Sequence, residues 1–300
     1  FIKKNKMLSI LIPTYNYNVF PFVKEVSEQC IAEKISFEII VLDDASQNFH
    51  TENNEINNLD NCSYSILNQN IGRSSIRNLL STKALFDNLL FLDADVRIIS
   101  NQFIKNYVNF IKSNSNYGVV YGGIIYQESK PNDNQLLRWI YGNKREALSA
   151  EKRNENVYVS FLTLNFLIKK EIFSSVRFNE DIPNLRYEDL LFSFDLMKNK
   201  IPLQHINNQV VHNGIETSEV FMQKTNDSLK GLKFLLSKNY LPANYAKISS
   251  IFNLLDQTKL LFLIKFIYKM RKNSFEKNLL SSKPSLFIYD IYRLGYFSQL

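Results

Sequence analysis

Four short apolar runs in the first third of the chain each stop on a polar cluster. Leu8-Ser9-Ile10-Leu11-Ile12 meets Pro13-Thr14-Tyr15-Asn16, and Phe37 to Leu42 meets Asp43-Asp44-Ala45-Ser46. Tyr64-Ser65-Ile66-Leu67 meets Asn68-Gln69-Asn70-Ile71-Gly72-Arg73, and Leu89-Leu90-Phe91-Leu92 meets Asp93-Ala94-Asp95. Apolar runs this short read as buried strands. Helical spacing fills the gaps: Val19, Phe22, Val23, Val26 and Cys30 form one stripe, with Asn18 as its expected cap and Pro21 in its first turn. Ile76, Leu79, Leu80 and Ala84 form another, and a weak helix is expected around Thr51 to Leu59. Strand–helix alternation predicts right-handed crossovers and a mostly parallel sheet. The polar clusters then share the carboxyl rim of that sheet, where open α/β folds bind ligands.

Asp93 and Asp95 are the most telling of these residues. Two carboxylates one residue apart can reach a single divalent cation directly or through water, and an all-oxygen set suits Mg²⁺ or Mn²⁺ shared with substrate phosphates. Alone, Asp-x-Asp is as readily a solvated turn capping the next helix. Its placement at the same rim as Asp43, Asp44 and Arg73 makes the constellation more informative than its parts.

The later half is less regular. A helix near Phe103 to Ile111, a strand Val119-Val120-Tyr121 before Gly122-Gly123 and a helix over Leu136 to Gly142 are expected. Asn143 to Asn156 reads as a mobile polar loop. Phe161 to Ile168 is apolar around Asn165. Glu188-Asp189 open a helix carrying Leu190, Leu191, Phe194 and Met197, and a short strand from Gln209 to Val211 ends at His212-Asn213-Gly214. Beyond about residue 218 the pattern is helical.

Three hundred residues with 45% apolar content, 23 Phe and 16 Tyr fill a large core. The two cysteines, Cys30 and Cys62, fit neither a zinc spacing nor a disulfide framework, so free thiols in a reducing compartment are expected. No secretory signal is visible. Lys3-Lys4-Asn5-Lys6 leads into a run from Met7 that stops at Pro13, and the start at Phe1 leaves room for an upstream piece. The net charge of +7 is uneven: residues 228–300 hold twelve Lys/Arg against three Asp/Glu, whereas the other 227 hold 24 against 26. This argues against a nucleic-acid groove across the molecule and for a tail with its own partner.

With Pro13-Thr14-Tyr15-Asn16, Asp43-Asp44-Ala45-Ser46, Gly72 before Arg77-Asn78, Asp93-Ala94-Asp95 and Glu188-Asp189 in this order, the chain resembles the family 2 glycosyltransferases over roughly residues 7–215. Leu137 to Gly142, Phe166-Leu167-Ile168 and His212-Asn213-Gly214 look like one bacterial subgroup. The resemblance implies an α/β, GT-A fold: a Rossmann-like, mostly parallel sheet flanked by helices, over residues 1–217. Residues 218–300 would be a basic, aromatic helical C-terminal extension. It also implies inverting transfer from a nucleotide-diphosphate sugar, such as a UDP-sugar, to a glycan or lipid-linked acceptor with Mn²⁺ or Mg²⁺. Three departures stand out. Ala45 occupies a position where the family often has Gly, Ile76 one where it often has Ala, and Leu185-Arg186-Tyr187 a place where a Gly is common.

The roles implied by the resemblance are specific. Asp95 would hold the metal, with Asp93 near the ribose or the metal's waters and His212 completing the shell. Asp44 would accept from the base ring, with Asp43 in support. Pro13, Thr14, Tyr15 and Ala94 would line the nucleotide pocket, and Arg73 or Arg77 would meet base or phosphate through forked donors. Asp189 would be the general base and Glu188 its neighbour. Trp139 could stack on a sugar or pack in a core. Outside the resemblance, the tail around Leu260 to Lys272 is too short and charged to span a bilayer; it suits an anionic membrane surface, a lipid pyrophosphate, or equally a helical pair packed on the catalytic domain with a solvated basic face, in the cytoplasm or at the inner face of the membrane. Two other readings compete. A sugar-nucleotide pyrophosphorylase needs a Gly-rich loop after its first strand, which Pro13-Thr14-Tyr15-Asn16 does not supply. A catalytically silent membrane-associated partner predicts no metal-dependent nucleotide binding.

Overall fold

The computed structural model describes residues 8–182 and 186–300. The basic lead-in from Lys3 to Met7 and the departure at Leu185 lie outside the described residues. The strands are β1 Leu8–Thr14, β2 Phe37–Asp43, β3 Cys62–Ile66, β4 Asn88–Leu92, β5 Val96–Arg97, β6 Val119–Tyr121, β7 Ile124–Ile125, β8 Asn165–Lys169, β9 Leu203–His205 and β10 Val210–His212. The α-helices are α1 Phe20–Ala32, α2 His50–Asn54, α3 Gly72–Lys83, α4 Phe103–Ser113, α5 Leu136–Tyr141, α6 Ala150–Asn154, α7 Lys170–Ser175 and α8 Glu188–Lys198. The C-terminal part adds α9 Ser218–Ser237, α10 Lys247–Gln257, α11 Leu261–Leu279 and α12 Leu286–Phe297.

The chain divides into two compact units. The first comprises the described residues through Ile125, Ala147–Glu180 and Glu188–Gly214; the second takes Tyr126–Glu146, the described residues of 181–187 and Ile215–Leu300.

In the first unit seven strands form one sheet in the order β3-β2-β1-β4-β8-β6-β9. β1 pairs in parallel with both β2 and β4, β2 with β3, and β6 with β9; β8 alone runs antiparallel to its neighbours. The mostly parallel sheet expected from strand–helix alternation is therefore present. β4 is buried along its whole length, as a strand covered on both faces must be. Aromatic rings on β4, β8, α7 and α8, and Phe178 beyond α7, fill one side: Phe91 stacks on Phe166 at 4.9 Å and on Phe173 at 5.0 Å, and Phe178 on Phe192 at 4.2 Å. A second sheet, β5-β10-β7, brings Val96 opposite His212.

A polar lattice ties β8 to the loops beside it. Asn165, fully buried, donates to the carbonyls of Gly123 and Asn208 and accepts from the Tyr107 hydroxyl at 2.7 Å. The mobile loop expected over Asn143 to Asn156 is not found: a π-helical turn occupies Gly142–Glu146, and α6 follows. Arg153 is why. Its guanidinium, 1% exposed, donates to the carbonyls of Leu148, Tyr121, Gly122 and Ile206 and lies over the Tyr121 ring. A charge-dense sequence reads as surface because carbonyl partners for a buried arginine are supplied only by the fold. In α8 the buried residues are Leu191, Phe192, Ser193 and Leu196, whereas Met197 is exposed, so the apolar face is rotated from the one expected.

In the second unit α5 joins the C-terminal helices. Leu137, Phe221, Met222, Tyr268, Leu279, Tyr289 and Tyr292 form one cluster, with Tyr141 packed against it. Trp139 donates its indole N–H to the Gln127 carbonyl.

Candidate active site

The cavity at the carboxyl end of β1, β2 and β4 measures about 230 Å³ and is lined by Pro13, Thr14, Tyr15, Tyr17, Asp44, Arg73, Ile76, Arg77, Asp93, Ala94 and Asp95. Parallel pairing builds it. Thr14 lies opposite Asp43 across β1 and β2, and the Asp44 N–H donates to the Thr14 carbonyl at 2.9 Å, so the two strand ends leave the sheet together. Asn16 and Ser46 clasp the loops beyond: the Asn16 N–H donates to Ser46 Oγ at 2.6 Å, and the Gln47 N–H to Asn16 Oδ1 at 2.7 Å. Both turns use left-handed backbone at non-glycine residues, Asn16 (φ 52°) and Ala45 (φ 62°). A glycine at the second position would take that torsion without a Cβ penalty.

Asp43 and Asp44 part company. Asp43 is fully buried and turned away from the cavity, accepting from the Ser46 N–H at 2.8 Å and the Tyr64 hydroxyl at 2.7 Å. Asp44 faces the cavity and accepts from the first amides of α3, Ile71 N–H at 2.7 Å and Gly72 N–H at 3.0 Å. These bonds satisfy donors that a helix start leaves open, and the helix end favours the negative charge. A carboxylate accepts about four hydrogen bonds, so Asp44 keeps acceptor capacity for a ligand.

The two carboxylates after β4 are also distinct. Asp93 Oδ1 pairs with Arg77 at 2.7 Å, and its main-chain N–H donates to the Leu164 carbonyl. Burial, then the charge of Asp95, push its carboxyl above the usual range, while Arg77 pulls it down. Arg77 is nearly buried, lies over the Phe178 ring, and its Nε has no hydrogen-bond partner. Asp95 is open, 41% exposed, with Oδ2 3.5 Å from His212 Nε2. A Cβ on Gly214 would come within 3.0 Å of that oxygen, so the Asn213-Gly214 turn leaves space that a side chain would take. Tyr17, which no sequence pattern singles out, lines the same wall, its hydroxyl pushed upward by burial and by Asp95.

The start of α8 lies beside this floor. Glu188 Oε1 is 3.5 Å from Arg73. Asp189 Oδ1 accepts from the Leu190 N–H at 2.8 Å, and burial followed by the Glu188 charge raises its carboxyl to about 6. Neither residue lines the cavity itself, nor do Asp43 and His212; the other residues expected at the site do.

The residues present suit a divalent cation that brings most of its own shell. Among the described residues no group of three or more His, Cys, Asp and Glu could hold a metal. Asp95 Oδ2 and the imidazole of His212, 3.5 Å apart, offer a partial oxygen-and-nitrogen set. Such a set fits Mn²⁺ or Mg²⁺ sharing its shell with water and phosphate, and the imidazole favours Mn²⁺.

The mostly parallel seven-stranded sheet, with one strand reversed and helices on its flanks, is GT-A-like. Residues 9–176 match Glycosyl transferase family 2, and the chain belongs to that family, whose members are glycosyltransferases using nucleotide sugars. No curated protein matches the sequence. Solved structures share the fold at low identity. The S. aureus TarS structure is 18% identical (TM-score 0.51), covering 76% of this chain, which spans 40% of that one. TarS 1–349 in complex with UDP is 16% identical (TM-score 0.53), covering 97% and 89% respectively. The mannosyltransferase PcManGT from Pyrobaculum calidifontis, in complex with GDP-Man and Mn²⁺, is 13% identical (TM-score 0.53), covering 77% and 64%.

Proposed function

We propose that the protein is an inverting, divalent-metal-dependent glycosyltransferase that moves a sugar from a UDP-sugar to a hydroxyl of a glycan or lipid-linked acceptor. The observation that carries this reading is the meeting of Asp44, Arg73, Arg77, Asp93 and Asp95 on one cavity at the carboxyl ends of parallel strands. The likeness to structures in complex with UDP, or with GDP-Man and Mn²⁺, supports it.

In this reading Asp44 accepts from the base, while Pro13, Thr14, Tyr15 and Ala94 shape the nucleoside pocket. Asp43 acts from behind, by fixing the turn at Ser46. Arg73 and Arg77 face the diphosphate across the cavity that both line. Asp95, His212 and Asp93 hold Mn²⁺ or Mg²⁺, which when bound offsets the charge growing on the departing diphosphate. Asp189 receives the acceptor hydroxyl proton as the new C–O bond forms on the face opposite the one that breaks. Its raised carboxyl suits proton abstraction, being ionised at neutral pH yet basic enough to hold a proton. Glu188, held by Arg73, keeps the helix start in place. In this reading the enzyme acts in the cytoplasm or at the inner face of the cell membrane, in surface-glycan synthesis.

Calorimetry with nucleoside diphosphates, with and without Mn²⁺, tests the site. We expect UDP to bind, and more tightly with the metal. Failure of every nucleoside diphosphate to bind with Mn²⁺ present would sink the proposal and favour a catalytically silent membrane-associated protein.

A further inference from the structure

We infer that the first three turns of α11 lie on the surface of an anionic lipid bilayer. This inference rests on the C-terminal unit alone and stands apart from the sugar-transfer reading.

α11 has two apolar faces, and only one is used. Leu261, Tyr268 and Leu279 are buried. The Tyr268 ring packs so closely over Gly295 of α12 that a Cβ there would come within 2.4 Å of it. Away from that contact, Phe262 is 64%, Phe266 62% and Met270 68% exposed, with Leu263 and Ile267 half-exposed beside them. Spacings of four and eight residues put Phe262, Phe266 and Met270 on one stripe, about 12 Å long at 1.5 Å per residue. Exposed apolar side chains of this size, repeated on one helix face, mark an interaction surface rather than scattered surface apolar residues.

The border of the stripe says what covers it. Lys259, Lys265, Lys269, Arg271 and Lys272 are all exposed, and Glu276 is the one acidic residue of α11. Of these cations only Lys272 has an acidic neighbour among the described residues, Glu276 at 3.8 Å. A second copy packed on this stripe about a two-fold axis would set the lysines against each other. An anionic membrane instead takes the rings into its acyl boundary and meets the lysines with phosphate. No helix among the described residues is long and apolar enough to cross a membrane, so the mode is docking along the surface.

The full chain should be sedimented with vesicles of phosphatidylcholine alone and of phosphatidylcholine mixed with phosphatidylglycerol, at low and high salt. We expect binding to the anionic vesicles only, weakened by salt. The triple variant Phe262→Ser/Phe266→Ser/Met270→Ser and the triple variant Lys265→Glu/Lys269→Glu/Lys272→Glu should each bind at least tenfold more weakly. Both should keep the parent's Tm and circular dichroism spectrum, because none of these side chains is buried. No binding of the parent chain to anionic vesicles overturns the inference. So does full binding by the serine variant, which would make the attraction a charge effect alone. A dimer in light scattering that the serine variant converts to monomer assigns the stripe to a second copy and overturns it too.

Discussion

Asp189 and its neighbours show how one carboxylate is set apart from the others. Its charged form is penalised by burial and by Glu188, and its folded value of about 6 lies above the ordinary 3.8. Asp189→Asn should therefore lower transfer by about 10²–10⁴-fold while leaving UDP affinity within twofold, measured by a radiolabel transfer assay beside calorimetry. In the parent chain the rate should fall as pH drops through about 6, where Asp189 takes up a proton. The stability signature has a fixed sign. A carboxylate raised on folding costs nothing below pH ~4, costs progressively more between ~4 and ~6, and costs the full amount above. Asp189→Asn should accordingly stabilise the protein at pH 7.5 by about 1 kcal/mol, after allowance for its partial exposure, and leave it unchanged at pH 4. Thermal melts at the two pH values check this. Ala45 makes the complementary case. Its left-handed torsion costs about 1–2 kcal/mol for a residue with a Cβ, less the entropy that glycine would lose. Ala45→Gly should gain about 0.5 kcal/mol in urea unfolding.

Among the elements, β8 links the core to the site. Asn165 opens that strand and bonds to Gly123, Asn208 and Tyr107, while the residue before it accepts from the Asp93 N–H. Asn165→Ala would take the side-chain donor from the buried Asn208 carbonyl and the shorter acceptor from the Tyr107 hydroxyl, while Gly123 keeps the Val210 N–H. We expect a loss of about 2–4 kcal/mol in chemical unfolding, with UDP affinity also reduced because the loop holding Asp93 slackens. α3 is a second such link. It starts on the two amides that Asp44 receives and carries Arg73 and Arg77 one turn apart, so both arginines reach the cavity. Farther along, Asn78 donates to the Phe178 carbonyl and to Glu180, which keeps Phe178 under Arg77. The cation is held by a ring on one side and a carboxylate on the other.

For the whole molecule the donor site is a thermodynamic handle. A ligand bound only by the folded state stabilises it by about 2.7 kcal/mol at a hundred times its Kd. UDP with Mn²⁺ should raise Tm by several degrees, and UDP alone by less. Asp95→Ala should abolish the Mn²⁺-dependent part of the shift and keep the rest. An undiminished Mn²⁺ effect would place the metal elsewhere. The uneven charge of the chain, basic only toward its end, matches a division of labour. The carboxylates Asp44, Asp93 and Asp95 line the cavity in one unit, and the lysines border an apolar stripe in the other.

The order of strands and the polar clusters that end them were readable from residue types, because a strand buried on both faces tolerates no polar residue until it leaves the sheet. Leu89 to Leu92 before Asp93 and Asp95 is the clearest instance. Helical stripes such as Val19 to Cys30 were equally plain. The fold decided what depends on partners distant in sequence: that Asp43 faces inward toward Tyr64 while Asp44 faces the cavity, that Arg73 reaches Glu188 across more than a hundred residues, that Tyr17 joins the wall, and that Arg153 sits in the interior on carbonyl oxygens. A charged side chain carries no mark of whether water or the fold will solvate it. Asp93-Ala94-Asp95 was therefore legible as a pair of carboxylates on a strand end, and only the tertiary structure separated Asp93, tied to Arg77, from Asp95, left open beside His212.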